Sequence, residues 1–276
     1  MDLITLTVAI LSLFFILLII RKILASTPNW HSPQMNGKVC IVTGCSSGIG
    51  KETAIRLSEL GATLVLANRN PRASRELADQ LGPNVTPITL DLSDLRSVEA
   101  FVKSFGEKFD KCDVLCSNAG VMSFGAPLPP TAQGFEAAYG VIFLGHFYLT
   151  KLMMPFLTKV KGRVICVGSY TSRTNDTSVL DPTFHLHNTG RYNAMKSYSC
   201  SKLAEVIFIK ELARRCGGDG VRAYVADPGV FRSSISRSNK LMDWAHKQLF
   251  MLPSPHDGAQ TSLYCCLAPT EELVQG

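Results

Sequence analysis

The feature that most restricts this chain is an alternation that begins at Lys38 and runs nearly to the C-terminus. Short runs rich in β-branched residues are each followed by an amphipathic stretch. "KVCIVTG" (38–44), "ATLVLAN" (62–68), "NVTPITLDL" (84–92), "CDVLCSNAG" (112–120), "RVICVGS" (163–169) and "VRAYVADPG" (221–229) read as strands by length and composition. Between them, "GKETAIRLSELG" (50–61) repeats Ala54, Ile55, Leu57 and Leu60 at helical spacing before Gly61 stops it. "PRASRELADQLG" (71–82) has proline near its start and glycine at its end. "DLRSVEAFVKSFGEKF" (94–109) takes Ser93 or Asp94 as its cap. A longer helix is expected from about Gln133 to Lys159, and another over 198–216. At least six such alternations call for a parallel sheet covered on both faces, with right-handed crossovers: a doubly wound α/β domain.

Residues 1–25 stand apart. Leu3 to Ile20 carries no charge, and its 18 residues as a helix cover about 27 Å, close to the hydrocarbon thickness of a bilayer. A cleaved signal peptide would want a basic segment ahead of the apolar run, and here only Asp2 precedes it. A buried core helix is seldom apolar all round at a chain terminus. The run is read as a transmembrane anchor, with Arg21-Lys22 placing the following domain in the cytosol. Residues 26–37 form a linker and 38–276 the single domain. Hydrophobic residues make up 46% of the chain and charged ones 18%, enough for a large core and too apolar for disorder.

The net charge of +6 is scattered, with basic residues beside acidic ones as in Lys51-Glu52 and Arg75-Glu76, so no nucleic-acid face is expected. Nine cysteines form no CxxC, which argues for buried reduced thiols and against zinc. His185 and His187 lack a partner at a metal-binding spacing and read as loop histidines, so no metal is expected.

Chemistry concentrates at the strand ends. "TGCSSGIG" (43–50) follows a strand and opens a helix. Gly44 permits the tight turn, while Gly48 and Gly50 let backbone approach a phosphate and let the helix pack on the strand. The alternative is a tight turn without a ligand. At the end of the second strand, an acidic residue would suit the ribose of NAD. Here Asn68-Arg69-Asn70 offers a guanidinium suited to a 2′-phosphate, which favours NADP(H) over NAD(H). The alternative for Arg69 is a solvated surface charge.

Thr43 to Gly50, Asp91, Asn118-Ala119-Gly120, Ser169, Tyr198 with Lys202, and Pro228-Gly229 occur in that order. From about Lys38 onward the chain resembles the short-chain dehydrogenase/reductase family, and within it the membrane-anchored retinol and steroid dehydrogenase-like branch. The resemblance implies a Rossmann-type fold. It implies an NADP-dependent oxidoreductase acting on a lipophilic alcohol or carbonyl, such as a retinoid or steroid, at the endoplasmic reticulum membrane. Tyr198 would be the general acid/base. Lys202, one helical turn on, would favour its phenolate and hold the nicotinamide ribose. Ser169 would hydrogen-bond the substrate oxygen. Gly44, Ser46, Ser47, Gly48, Ile49 and Gly50 would contact phosphate, and Asn68 and Arg69 the adenosine ribose. Asp91 and Leu92 would meet the adenine, with Asn118, Ala119 and Gly120 passing beside the cofactor. Pro228, Gly229, Val230 and Ser233 would lie at the nicotinamide end. Paired long helices would give a homodimer.

Two departures from the family pattern stand out. Relatives read roughly "VNHLGHF" where this chain has "VIFLGHF" (141–147), so Ile142 replaces an Asn of the catalytic tetrad and cannot anchor a relay water by its side chain. The sequence also stops at Gly276, where the family's last sheet-edge strand would begin: either it is a fragment or isoform, or the sheet has an uncovered edge, which predicts reduced stability. Both give weight to an alternative: a membrane-associated protein that binds cofactor but catalyses weakly or not at all, acting through partners. The 28 residues between Ser169 and Tyr198 read as a loop over the substrate pocket, with Phe184 and Tyr192 as wall residues. The segment 229–252, with Leu241, Trp244, Leu249 and Phe250, reads as a lid helix touching membrane.

Overall fold

The computed structural model of the chain describes residues 33–123, 127–173, 193–229 and 254–274, with the isolated positions 5 and 12. The expected anchor, most of the linker, the loop with Phe184 and Tyr192, the lid segment, His185 and His187 lie outside the described residues.

Six strands, β1 (Val39–Thr43), β2 (Thr63–Asn68), β3 (Val85–Thr89), β4 (Val114–Ser117), β5 (Arg163–Val167) and β6 (Arg222–Ala226), form one sheet in the order β3-β2-β1-β4-β5-β6. Every pairing is parallel, with Cys40 between Leu64 of β2 and Val114 of β4. Residues of β1 are all buried, because a central parallel strand has helices on both faces. Successive side chains divide between the two faces. Cys40 and Val42 join Ile49, Ala54, Leu57, Leu77, Ala259 and Leu263 in one core, whereas Val39 and Ile41 join Val98, Phe101, Phe105, Leu149, Met153 and Ile209 in the other.

The first core is covered by α1 (Gly48–Glu59), α2 (Pro71–Leu81) and α6 (Pro255–Leu267). The second is covered by α3 (Leu95–Gly106), α4 (Gly145–Thr158) and α5 (Ala194–Cys216). Helix starts follow local chemistry. Asn70 accepts from Arg72 and Ala73 at the head of α2, Asp94 from Arg96 at α3, and Asn193 from Lys196 at α5. Ser254 and Asp257 form a reciprocal capping box at α6.

One expectation needs correction. The long helix does not begin at Gln133. Residues 132–134 form a turn in which the Gln133 side chain donates to Asp94 and accepts from the Leu95 amide, and the helix enters through a π-helical segment, Tyr139–Leu144, ahead of α4. The segment beyond Ser254 forms α6, which packs on α1 and reaches β4, β5 and β6. Finally, one described stretch is long and apolar enough to cross a membrane, Tyr139–Thr158. Nearly half of its apolar window is buried, with Leu149, Met153 and Leu157 fully in the core, so it reads as a core helix. β6 closes the sheet at one edge among the described residues.

Candidate active site

The strand order reverses between β1 and β4, and at their carboxyl ends the two connections leave in opposite directions. That geometry opens a crevice. A cleft of about 450 Å³ occupies it, lined by residues from the ends of all six strands or the loops that follow them.

Its floor is the β1–α1 turn. Gly44 has φ +66°, and a Cβ there would stand 2.7 Å from Ala119 Cα, so only glycine lets β1 and β4 approach this closely. Ser46, Ser47, Gly48 and Ile49 line the cleft. Ser47 is the N-cap of α1 but makes no side-chain cap, and the first turn carries no acidic residue. The amides of that turn therefore remain available to an anion. Gly50 does not line the cleft. A Cβ at this position would lie 2.2 Å from Asn118 Nδ2 and 2.6 Å from Gly44 O, so its function is close helix packing.

Thr43 knots the switch point together. Its Oγ1 accepts from the amides of Asn118 (2.9 Å) and Ala119 (3.0 Å) and lies 2.9 Å from His146 Nε2. A hydroxyl has one proton to give, and both amides are donors, so that proton goes to His146. His146 Nδ1–H then donates to Ile142 O at 2.8 Å. The ring is thus the neutral Nδ1–H tautomer. Burial pushes its pKa down to about 4, with the Lys202 ammonium adding to the effect. Asn118 also donates from Nδ2 to Thr43 O (2.8 Å) and Gly44 O (3.1 Å), which ties β4 to β1 as expected.

At the adenosine end, Arg69 and Asn70 are exposed and line the cleft, and Arg69 makes no ion pair among the described residues. Asn68 also lines it, but its Nδ2 donates to Cys45 Sγ (3.2 Å) and Ser74 Oγ (3.0 Å). Its amide nitrogen holds the loop rather than reaching for a ribose. Asp91 and Leu92 line the cleft beside Leu90. One Asp91 oxygen accepts from Ser93 N (2.9 Å) and Oγ (2.6 Å), which shapes the β3–α3 turn.

At the opposite end stand Ser169, Tyr198, Lys202, Pro228 and Gly229, with Ala119 and Gly120 between the two ends. Ser169 Oγ accepts from Thr171 Oγ1 at 3.0 Å. Lys202 is 3% exposed, and its Nζ donates to Val167 O (2.6 Å) and to Glu205 Oε2 (2.9 Å). Two of its three N–H groups therefore serve β5 and a buried carboxylate. Ile142 is fully buried, lies in the π-helical segment, and packs toward Gly120; its carbonyl already accepts from His146. Val230 and Ser233 lie outside the described residues.

Sequence reasoning missed Glu205 and His146, whose side chains surround Lys202 without lining the cleft. Glu205 follows Lys202 by three positions on α5, a spacing that puts both on one helix face and could have flagged it. His146 carried no such signal, because its partners Thr43 and Ile142 are set by packing.

The cleft therefore joins a helix start with open amides, a guanidinium without an ion pair among the described residues and a Ser/Tyr/Lys cluster, a combination that fits a dinucleotide and an oxygen-bearing substrate. Residues 38–179 match the family model described as short chain dehydrogenase. The chain is 38% identical to human retinol dehydrogenase 11 (Homo sapiens) over 267 residues, 93% of this chain and 81% of that one. It is equally 38% identical to human retinol dehydrogenase 12 over 268 residues, covering 93% and 82%. Among solved structures, a short-chain type dehydrogenase/reductase from Mycobacterium marinum shares the fold at TM-score 0.70 and 22% identity, with 87% and 92% of the two chains covered. A short chain dehydrogenase from Shigella flexneri solved with NADP does so at TM-score 0.68 and 21% identity, covering 86% and 94%. With the six-stranded parallel sheet, its switch-point cleft and the matched motifs all in one chain, this protein belongs to the short-chain dehydrogenase/reductase family of oxidoreductases.

Proposed function

We propose that the protein transfers hydride between NADP(H) and a lipophilic, retinoid-like alcohol or carbonyl. The observation that carries this reading is that Ser169, Tyr198 and Lys202 share the walls of one cleft whose floor is the β1–α1 glycine turn. A nicotinamide dinucleotide bound here supplies the hydride acceptor or donor. The α1 amides at Ser47–Ile49 receive its phosphates, and Arg69 distinguishes a 2′-phosphate from a bare hydroxyl. Ser169 Oγ donates to the substrate oxygen, and Tyr198 Oη moves the proton on or off it. Lys202 lends positive charge to that phenol from one helical turn away.

The retinol dehydrogenases matched over 93% of the chain favour a retinoid-like substrate. The apolar run at 3–20 favours membrane anchorage, at the endoplasmic reticulum with the domain facing the cytosol. Exposed Phe147 on α4 and Ile207 on α5 favour a homodimer through those helices. A weakly catalytic, partner-acting protein is favoured instead by Ile142, which offers no side-chain hydrogen bond.

The test is a comparison of NADPH and NADH for the rise in melting temperature each produces, followed by turnover on retinoids, steroids and fatty aldehydes. The reading expects NADPH to stabilise more, and Tyr198→Phe to lower kcat by about 10²–10⁴-fold. Nucleotide binding with no turnover on any substrate, unchanged in Tyr198→Phe, would establish the weakly catalytic alternative.

A further inference from the structure

Glu205 is a fully buried carboxylate that the reading above does not use. One oxygen, Oε2, accepts from Lys202 Nζ at 2.9 Å. The other, Oε1, has no hydrogen bond among the described residues and stands 3.7 Å from His146 Nδ1. That nitrogen is already donating to Ile142 O, and the ring is neutral, so His146 supplies no positive charge. The other ionisable groups facing the carboxylate are the thiols of Cys116 on β4 and Cys166 on β5, both held protonated in the buried interior. Lys202 is therefore the one cation paired with Glu205 among the described residues.

Burial pushes the Glu205 carboxyl above its ordinary value, and the Lys202 ammonium at contact distance opposes that rise and favours the charged pair. Burial alone drives an ammonium toward the neutral amine, since water no longer solvates its charge. A single backbone carbonyl, Val167 O, is a dipole and offers modest compensation. Glu205 supplies a full opposite charge at contact distance. The net direction follows: burial pulls the Lys202 pKa down, but Glu205 and then Tyr198 outweigh it and raise it above its ordinary value. The two hydrogen bonds also fix where Nζ can aim. With Val167 O and Glu205 taking two of its three N–H groups, the third is left for the cleft that Lys202 lines.

We propose that Glu205 is a positioning residue for the reaction: it keeps Lys202 protonated inside the core and directs its remaining N–H toward Tyr198 and the nucleotide. The carboxylate offsets part of the ammonium's field at the phenol. The pair still presents its positive end to the cleft, whereas a neutral amine would present no charge at all.

The inference rests on the proposed roles of Tyr198 and Lys202, so its test includes readouts that need no turnover. In the full chain, Glu205→Gln removes the charge and keeps the shape, and Glu205→Asp keeps the charge. NADPH affinity, followed by fluorescence without substrate, and kcat/KM for alcohol oxidation are measured from about pH 6 to about pH 11, a parent that shows no alkaline loss within that range counting as a midpoint above it. In Glu205→Gln, both should fall on the alkaline side, with a midpoint at least about one pH unit below that of the parent, because Lys202 then loses its proton earlier. Glu205→Asp should move the midpoint back toward the parent. A uniform drop with an unchanged midpoint would overturn the proposal and leave Glu205 a packing residue. So would a rising limb displaced to lower pH without alkaline loss, which would mean that the carboxylate opposes Tyr198.

Should Glu205→Gln fail to fold, urea unfolding of Lys202→Met against Lys202→Met/Glu205→Gln decides the matter. Removing the lysine strands a buried carboxylate, so the double variant should recover at least about tenfold in its folding equilibrium. Equal stability of the two would refute the charge pairing. Absence of turnover on every alcohol, with the binding midpoint still shifted, would refute the proposed function and leave the role of Glu205 intact.

Discussion

Replacing Thr43 with valine keeps the shape of the side chain and deletes one oxygen. That oxygen makes three contacts: it accepts from the amides of Asn118 and Ala119 and donates to His146 Nε2. Each intramolecular hydrogen bond contributes about 1 kcal/mol net, and a buried polar group left without a partner costs about 1–3 kcal/mol. The two amides are only part-buried, so water can serve them and the low end applies. His146 is fully buried, so its stranded Nε2 falls at the high end. The sum is about 3–5 kcal/mol, a large share of the roughly 5–15 kcal/mol that holds a domain folded. At about 2–4 °C per kcal/mol this lowers Tm by about 6–20 °C. Urea unfolding and thermal melts of Thr43→Val and Thr43→Ser measure it. Serine keeps the hydroxyl and loses one methyl, so it should cost about 1 kcal/mol. If valine and serine fall together, or valine loses less than about 1 kcal/mol, the knot at the switch point is not what secures β1 to β4 and α4.

Stability should fall as pH drops from about 6.5 to about 4, the window set by His146. Its folded pKa lies below its unfolded one, so its contribution is complete above the unfolded value and is lost as pH falls through the folded value; about 3 kcal/mol is at stake, and His146→Gln should flatten the curve. Gly50→Ala should destabilise by about 1–3 kcal/mol and weaken nucleotide binding, since its methyl would drive into Asn118, while Gly218→Ala, which meets nothing within 4 Å, should stay within about 0.5 kcal/mol in the same denaturation series. A thiol reagent should titrate Cys216 rapidly in the native protein and all nine cysteines after denaturation, because the other eight are buried and none forms a disulfide; several fast-reacting thiols would contradict the packed core.

The sheet was legible because its signal is local. Each strand is a short β-branched run, and its helices carry their own caps and stops, as Asn70 and Asp94 do. The Ser169/Tyr198/Lys202 cluster was legible through the family resemblance, and the structure brings the three residues to the walls of one cleft. Helix entry at Gln133 was misjudged because the side chain found a partner in Asp94, 39 positions away, which no local pattern encodes. Asn68 lines the cleft as its place at the end of β2 implies, but the bonds of its side-chain nitrogen to Cys45 and Ser74 are set by packing and not by local pattern.

What the residues determined by themselves is therefore the alternation, the parallel sheet it demands and the glycine turn, all of which follow from backbone preference and from period along the chain, while Ser169, Tyr198 and Lys202 were marked out by the family resemblance. What only tertiary structure decided is the electrical state of that cluster. Whether Lys202 keeps its charge, and whether His146 is neutral, depends on burial and on neighbours such as Glu205, Thr43 and Ile142 that three different segments bring within reach. A pKa is set by surrounding charge and solvation in three dimensions, and neither is written in the order of residues along one strand or helix.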